Sequence, residues 1–465
     1  MYQAAPSFGL IIIGGGPGGL SPLLAAHHTG DLESLLAKGV AIVDQADELG
    51  AGTIGNHCIN SDSSGRTFVD CLLGPNETEL TKLAEHDIAR QLAAAGDGAV
   101  ALRDAGRFLS LVGGVMRKIV SAHERGEVLL RHKAVSAQQT AAGWQVKVVD
   151  MTTGEERLLT ASNVVTATGA HQPLERLAQE TVGGFNLMER CGDRLIQSGD
   201  VFSQGGLDSI ANRLAGKDEP RVIIIGGSTS AAAVAHALLH RLPQITFKAG
   251  GLTMLHRRPL RIFYLDRESA LAEGYDEWTE DDVCPISGRV FRFAGFRLDS
   301  RELVMQARGI GGRPPEPRLH LHHLQDVDPA AMQMIDEADL VISALGYRPR
   351  GIPVLDGFGA PIRLLSETGP QQPLVDGQCR VLDASGQPID GLFGIGLAAG
   401  FVPRGALGGE LSFRGQANGL WLWQHDVGAL IVDAVIRTDP ASRQSQGSVD
   451  AVIGARQLAT VSEGE

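Results

Sequence analysis

Gly14, Gly16 and Gly19 stand as G-x-G-x-x-G directly after Ile11, Ile12 and Ile13, a type and spacing suited to holding a pyrophosphate. In such a turn the first glycine permits a tight bend and the second lets the phosphates approach the backbone. The third lets a helix pack close to its strand. Pro17 and Gly18 complete the turn. Residues 20–38, rich in Ala and Leu, predict a helix whose free N–H groups and positive dipole end face the phosphates. A secretory leader does not explain the stretch, because none of the first ten residues is Lys or Arg. Six glycines and a proline also do not suit a membrane helix.

The pattern returns 212 residues later, where Gly226, Ser228 and Ala231 follow Val222-Ile-Ile-Ile225. Alanine is accepted at the third place. Ser228 brings a hydroxyl that can donate to phosphate, and Thr229 and Ser230 open the next helix. The residues at the following strand ends differ. Asp44, 30 residues beyond Gly14, ends a predicted strand over 40–44 and can accept from ribose hydroxyls. Arg257 and Arg258 close a strand predicted over 252–256. Guanidinium groups there suit a 2′-phosphate and point to NADPH over NADH.

These residues need parallel strands behind them, and the apolar runs supply candidates. Residues 127–149 and 157–160 predict a β-meander, and 163–169 a strand leaving through Ala167, Thr168 and Gly169. Residues 338–349 predict a buried strand with a small-residue exit, and 390–400 a short strand opening into glycine-rich loop. Residues 79–95 and 107–125 predict helices, and 412–436 a closing helix with Trp421 and Trp423. Residues 48–74 are polar and predict a long loop. Residues 174–217 predict a connection, and the tail from 438 a loosely held polar end. His320, His322 and His323 alternate with leucine, which predicts a half-buried strand rather than a metal site.

The bulk numbers bound the class. The chain has 465 residues, 43% hydrophobic and 20% charged, which predicts a soluble protein of at least two domains. A formal net charge of −13 argues against nucleic-acid binding, and no apolar run is long enough to span a bilayer. Five scattered cysteines without C-x-x-C exclude a dithiol motif and a zinc ribbon, and predict a reducing, cytoplasmic location. G-x-S-x-G is absent, which disfavours a serine hydrolase.

Together, the two glycine turns, the meander, Ala167-Thr168-Gly169, Ala344-Leu345-Gly346-Tyr347 and the late Gly391-Leu-Phe-x-x-Gly396 resemble the flavoproteins with two dinucleotide-binding domains. Within them the sequence is most similar to the class B flavin monooxygenases, which include N-hydroxylating and Baeyer–Villiger enzymes. The segment 339–349 resembles their strand ending in Ala-Thr-Gly-Tyr, with Leu345 for Thr. Their fingerprint F-x-G-x-x-x-H-x-x-x-W is not present between the domains, and Leu397 stands where related reductases carry an aspartate.

The resemblance implies an α/β fold with two Rossmann-like domains, one for FAD and one for NADPH, the FAD domain discontinuous and carrying the meander. The expected divisions are 1–205 and 349–436 for FAD, 206–348 for NADPH, and 437–465 for the tail. It implies further cofactor contacts at Gly346, Gly396 and Gln416. Asn60 and Arg66 are expected as catalytic groups, at the flavin hydroperoxide and at the peroxide anion or NADPH, with Arg404 a further candidate. The implied partners are molecular oxygen and a small or carrier-tethered metabolite, oxygenated by N-hydroxylation or a Baeyer–Villiger step in secondary metabolism. Two alternatives stay open on the sequence: a flavin reductase serving a quinone or protein acceptor, and a protein holding FAD as a structural ligand.

Overall fold

A computed structural model describes residues 8–369 and 372–437 of the chain. The first unit is centred on the strand Phe8–Ile13, flanked in parallel by Val40–Asp44 and Glu156–Thr166. Residues 10–13 and 40–43 are buried, as a parallel sheet covered on both faces requires, so β-branched runs replace alternation. Gly126–Leu130 extends the sheet beyond Val40–Asp44, and Pro388–Gly394 joins it on the far side of Glu156–Thr166. That last strand arrives from late in the chain, so the first unit is discontinuous.

Glu156–Thr166 has 11 residues and serves two sets of neighbours. Its first half pairs antiparallel with Gly143–Asp150, which pairs with His132–Thr140 to complete the meander. Its second half pairs with Phe8–Ile13. The buried Trp144 ring donates its N–H to the Asp390 carbonyl at 3.1 Å and ties the meander to the late strand. The closing helix Gly428–Arg437 crosses the first helix, Pro17–Thr29, closely. A Cβ at Gly428 would lie 2.6 Å from the Ser21 carbonyl oxygen.

The second unit is a five-stranded parallel sheet, in the order Leu195–Gln197, Leu340–Ser343, Val222–Ile225, Leu252–His256, Leu319–His323. The histidine-rich strand is half-buried, as predicted, and the structure puts it at the edge of the sheet. Among the described residues no group of His, Cys, Asp and Glu is placed to hold a metal, and no helix is long and apolar enough to cross a membrane.

The structure departs from the expected organisation in four places. The helix expected over 20–38 is two helices, Pro17–Thr29 and Leu32–Ala37, broken at Gly30, whose φ of 80° ends the first. Residues 174–217 are folded elements of the second unit and not a connection. Val182, Leu187 and Cys191 pack against Ile223, Ile225 and Val341, and Leu195–Gln197 is a strand of the second sheet. The second unit therefore begins well before residue 206. Residues 48–74 are not uniformly loop: Asn60–Ser64 pairs with Ala99–Ala101, and the helix Gly65–Val69 follows, capped by Ser64. The closing helix starts at Leu420, after Gly419, and passes through a π-helical stretch, Trp423–Val427. The expected polar tail lies outside the described residues.

Candidate active site

The first turn has the geometry that its glycines allow and other residues do not. Gly14 has φ 100°, and a Cβ on it would lie 2.3 Å from the Ala167 carbonyl oxygen. A Cβ on Gly19 would lie 1.7 Å from the Gly14 oxygen, so helix and strand meet backbone to backbone. Gly16 caps the helix Pro17–Thr29 without any side chain filling its N-terminus. Its first N–H groups are open to an anion, and the site fits a pyrophosphate. Gly396 crosses above: a Cβ on Gly18 would lie 3.1 Å from its Cα. Asp44 accepts from the N–H groups of Gly15 and, at 2.7 Å, of Ala46. It holds the turn in shape and still faces the cleft with lone pairs to spare for ribose hydroxyls.

The second turn repeats this construction. Gly226 has φ 145°, and a Cβ on it would lie 2.5 Å from the Ala344 carbonyl oxygen. Ser228 begins the helix Thr229–Arg241, and its hydroxyl makes no capping bond, which leaves it available to phosphate. Arg257 is paired with Glu180 at 2.9 Å, whereas Arg258 forms no salt bridge among the described residues. Both arginines are exposed on the cleft, Arg258 as the uncommitted charge.

Both turns open into one cleft of about 2800 Å³, which Thr168, Gly169, Gly346 and Gln416 also line. Thr168 donates to the Arg350 carbonyl, and Ala170–His171 pairs with Arg348–Pro349, so the two strand exits are stitched together where the units meet. Arg404, by contrast, does not line the cleft.

The two expected catalytic residues line the cleft but are engaged with protein. The Asn60 amide donates to Asp299 at 2.7 Å and accepts from Arg241. With both ends taken, Asn60 ties the polar segment of the first unit to two helices of the second. Arg66 pairs with Asp97 at 3.2 Å, with 69% and 83% of the two side chains exposed, a pair worth little in water.

The cleft also brings together residues that pattern reading passed over. Asp62 faces it, near Thr229 of the second turn. Its side chain is exposed to the open cleft, and the protein packed around that cleft pushes the carboxyl up to about 7, while Arg297 and Thr229 pull the other way and Asp299 adds repulsion. Arg289, Arg292 and Arg297 line the same space. The available signal was density: eight arginines and no lysine fall between residues 257 and 301 of an acidic chain.

A family model described as pyridine nucleotide-disulphide oxidoreductase matches residues 8–277. The CMP-5′-(3-aminopropyl)phosphonate hydroxylase of Streptomyces rubellomurinus (strain ATCC 31215) is 33% identical over 440 residues, which cover 93% of this chain and 98% of that protein. Among solved structures, the FAD-bound cadaverine monooxygenase of desferrioxamine biosynthesis from Erwinia amylovora aligns with a TM-score of 0.53. It is 11% identical, over 96% of this chain and 98% of that one. The reduced ornithine hydroxylase of Pseudomonas aeruginosa aligns with a TM-score of 0.51 at 14% identity, over 93% and 99%. These two likenesses are of fold.

Proposed function

This chain belongs to the pyridine nucleotide-disulphide oxidoreductase family, and from that premise we propose that it hydroxylates the primary amine of a nucleotide-linked aminoalkylphosphonate. The enzyme is an FAD- and NADPH-dependent monooxygenase of the class B type. The substrate class is the one carried in the name of its Streptomyces relative. FAD is assigned to the first turn through Gly14, Gly16, Gly18 and Asp44, and NADPH to the second through Gly226, Ser228, Thr229, Ser230 and Arg258. When bound, the pair supplies hydride and an oxygen-activating flavin ring.

The observation that carries the reading is the cleft. A single small-molecule pocket holds roughly 300–1,000 Å³. At about 2800 Å³ this one has room for two dinucleotides and a nucleotide-sized substrate together. Asp62 supplies the chemistry an amine needs. An ammonium ion has no lone pair with which to attack oxygen, and a cleft-facing carboxyl at about 7 can hold the ammonium and accept its proton. The five cysteines are free, and none is spaced as a dithiol relay, so the fold offers electrons no thiol route.

Incubation with CMP-5′-(3-aminopropyl)phosphonate, NADPH and isotopically labelled dioxygen tests the reading. One labelled oxygen on the amine nitrogen per NADPH is the expected result. NADPH oxidation that yields only hydrogen peroxide would sink it. In the same assay kcat should rise with pH through about 7 as Asp62 loses its proton. Asp62→Asn should remove that limb and lower kcat about 100-fold; an unchanged pH profile would free Asp62 of the role.

A further inference from the structure

We propose that Arg289, Arg292 and Arg297 form a subsite that seats the phosphorus oxyanions of the substrate, a specificity device resting on the amine-hydroxylation reading above. The three come from one irregular segment of the second unit, between the isolated bridge residue Val283 and the helix Leu298–Arg308. Phe291 within it, at φ 47°, and Leu298 at its junction with the helix, at φ 46°, hold left-handed conformations. Strain of this kind persists only where surroundings enforce it, and it collects at ligand sites.

The enforcing contacts come from the late loop of the first unit. The buried Glu410 accepts from the N–H groups of Phe293 and Ala294, at 3.0 and 2.8 Å to one oxygen. Arg292 donates to the Leu407 carbonyl at 2.8 Å. The segment is thus pinned between the units, on the wall of the cleft.

The charge pattern there is incomplete. Nearby arginines have carboxylate partners: Arg301 has Glu273 at 2.6 Å, Arg261 has Asp282 at 3.8 Å, and Arg257 has Glu180. Among the described residues, Arg289, Arg292 and Arg297 form no salt bridge. The Arg297 guanidinium lies 4.0 Å from the centre of the Phe263 ring, and Arg292 4.8 Å from that of Phe293. Stacking fixes two of the planar forks; Arg292 spends one nitrogen on the Leu407 carbonyl and the Cys284 sulfur and Arg297 one on the Arg292 carbonyl, which leaves their other N–H groups and the exposed Arg289 for a ligand. Burial and the neighbouring arginines hold the pKa values of Arg289 and Arg297 below the ordinary range. Three close cations faced by two carboxylates, one of them spent on backbone N–H groups, keep a surplus of positive charge that an arriving anion stabilises.

The dinucleotides have anion seats elsewhere, at the two helix N-termini and at Arg257 and Arg258, so this cluster is free for a third anionic molecule. Phosphate and phosphonate oxygens match the guanidinium fork in pairs. Asp62, which pulls electrostatically on Arg297, sets a carboxylate for an ammonium beside a seat for the phosphorus group.

The test uses FAD-loaded enzyme and calorimetric titration with CMP-5′-(3-aminopropyl)phosphonate, beside steady-state kinetics. Arg289→Gln and Arg297→Gln should each weaken binding about 30-fold and flatten its salt dependence. FAD content and the KM for NADPH should stay within about twofold of wild type. Arg297→Lys, which keeps charge and loses the fork, should lie between and serves if Arg297→Gln fails to fold. A rise in the KM for NADPH in place of weaker substrate binding would overturn the proposal, as would unchanged binding in folded variants or no binding by wild type. Arginine-dependent binding by wild type with no hydroxylated product would instead sink the amine-hydroxylation reading and leave the anion subsite standing.

Discussion

The turn after Ile13 and the turn after Ile225 share one frame. Gly14 donates to the Val43 carbonyl at 2.8 Å, and Gly226 to the Leu255 carbonyl at 2.9 Å. Ala167 donates to Ile13, and Ala344 to Ile225, both at 2.8 Å. On that frame the details diverge. At the third place Gly19 leaves no room for a methyl, whereas Ala231 is accommodated, fully buried. At the strand ends an acid, Asp44, holds the first turn, and His256 followed by two arginines stands at the second. Gly396 crosses over the first turn, while the second carries exposed arginines at the cleft. Both turns open into the cleft; one crossed by a second loop suits a resident cofactor, and one flanked by an uncommitted charge suits a cofactor that comes and goes each cycle.

The largest expected effect breaks the two turns separately. Gly14→Ala puts a methyl against the Ala167 oxygen and adds left-handed strain of roughly 1–2 kcal/mol. Purified protein should lack flavin absorbance and activity. Gly226→Ala should retain the flavin and lower NADPH-driven flavin reduction about 100-fold, read by stopped-flow absorbance. Equal flavin loss in both would erase the distinction. Next, Arg258→Ala should raise the KM for NADPH about 10- to 100-fold with little change for NADH, because a 2′-phosphate loses its charged partner. Arg257→Ala should do less, since Glu180 already competes for that side chain. A smaller effect is expected of Asp44→Asn: flavin still binds, about tenfold more weakly by fluorescence titration, as the turn loses a charged acceptor.

The smallest effect separates stability from catalysis. Asp328 caps the helix Pro329–Asp336 through the Ala331 N–H at 2.9 Å and meets His322 at 2.8 Å. The Ala331 N–H, His322 and the Gln325 N–H hold its carboxyl down at about 2. A depressed carboxylate contributes stability above its unfolded pKa, and that contribution fades as pH falls through the folded value. Asp328→Ala should therefore cost about 1 kcal/mol near neutral pH, and the difference from wild type should vanish near pH 2 in denaturant titrations.

Legibility followed sequence distance. Each glycine turn is contiguous, and its demands on φ and on closest approach fall on residues within one strand–turn–helix unit. The meander was readable for the same reason, its strands being joined by short turns. The pairing of Asn60–Ser64 with Ala99–Ala101 was not, because five polar residues without alternation become a strand only when a distant partner completes the ladder. The elements between 174 and 217 are short and gain stability from the second sheet beneath them, so local propensity left them looking like a connection.

The sequence by itself determined the two turns, their order and the charged residues that end the strands beside them, because backbone sterics and residue type act locally. Only the tertiary structure decided which charges are satisfied. It gave Arg257 to Glu180, spent the Asn60 amide on Arg241 and Asp299, and left Arg258, Arg289, Arg292 and Arg297 facing one cleft without ion-pair partners among the described residues. The reason is physical: an ion pair depends on separation in space and on the surrounding dielectric, and folding sets both for groups that stand far apart in the chain.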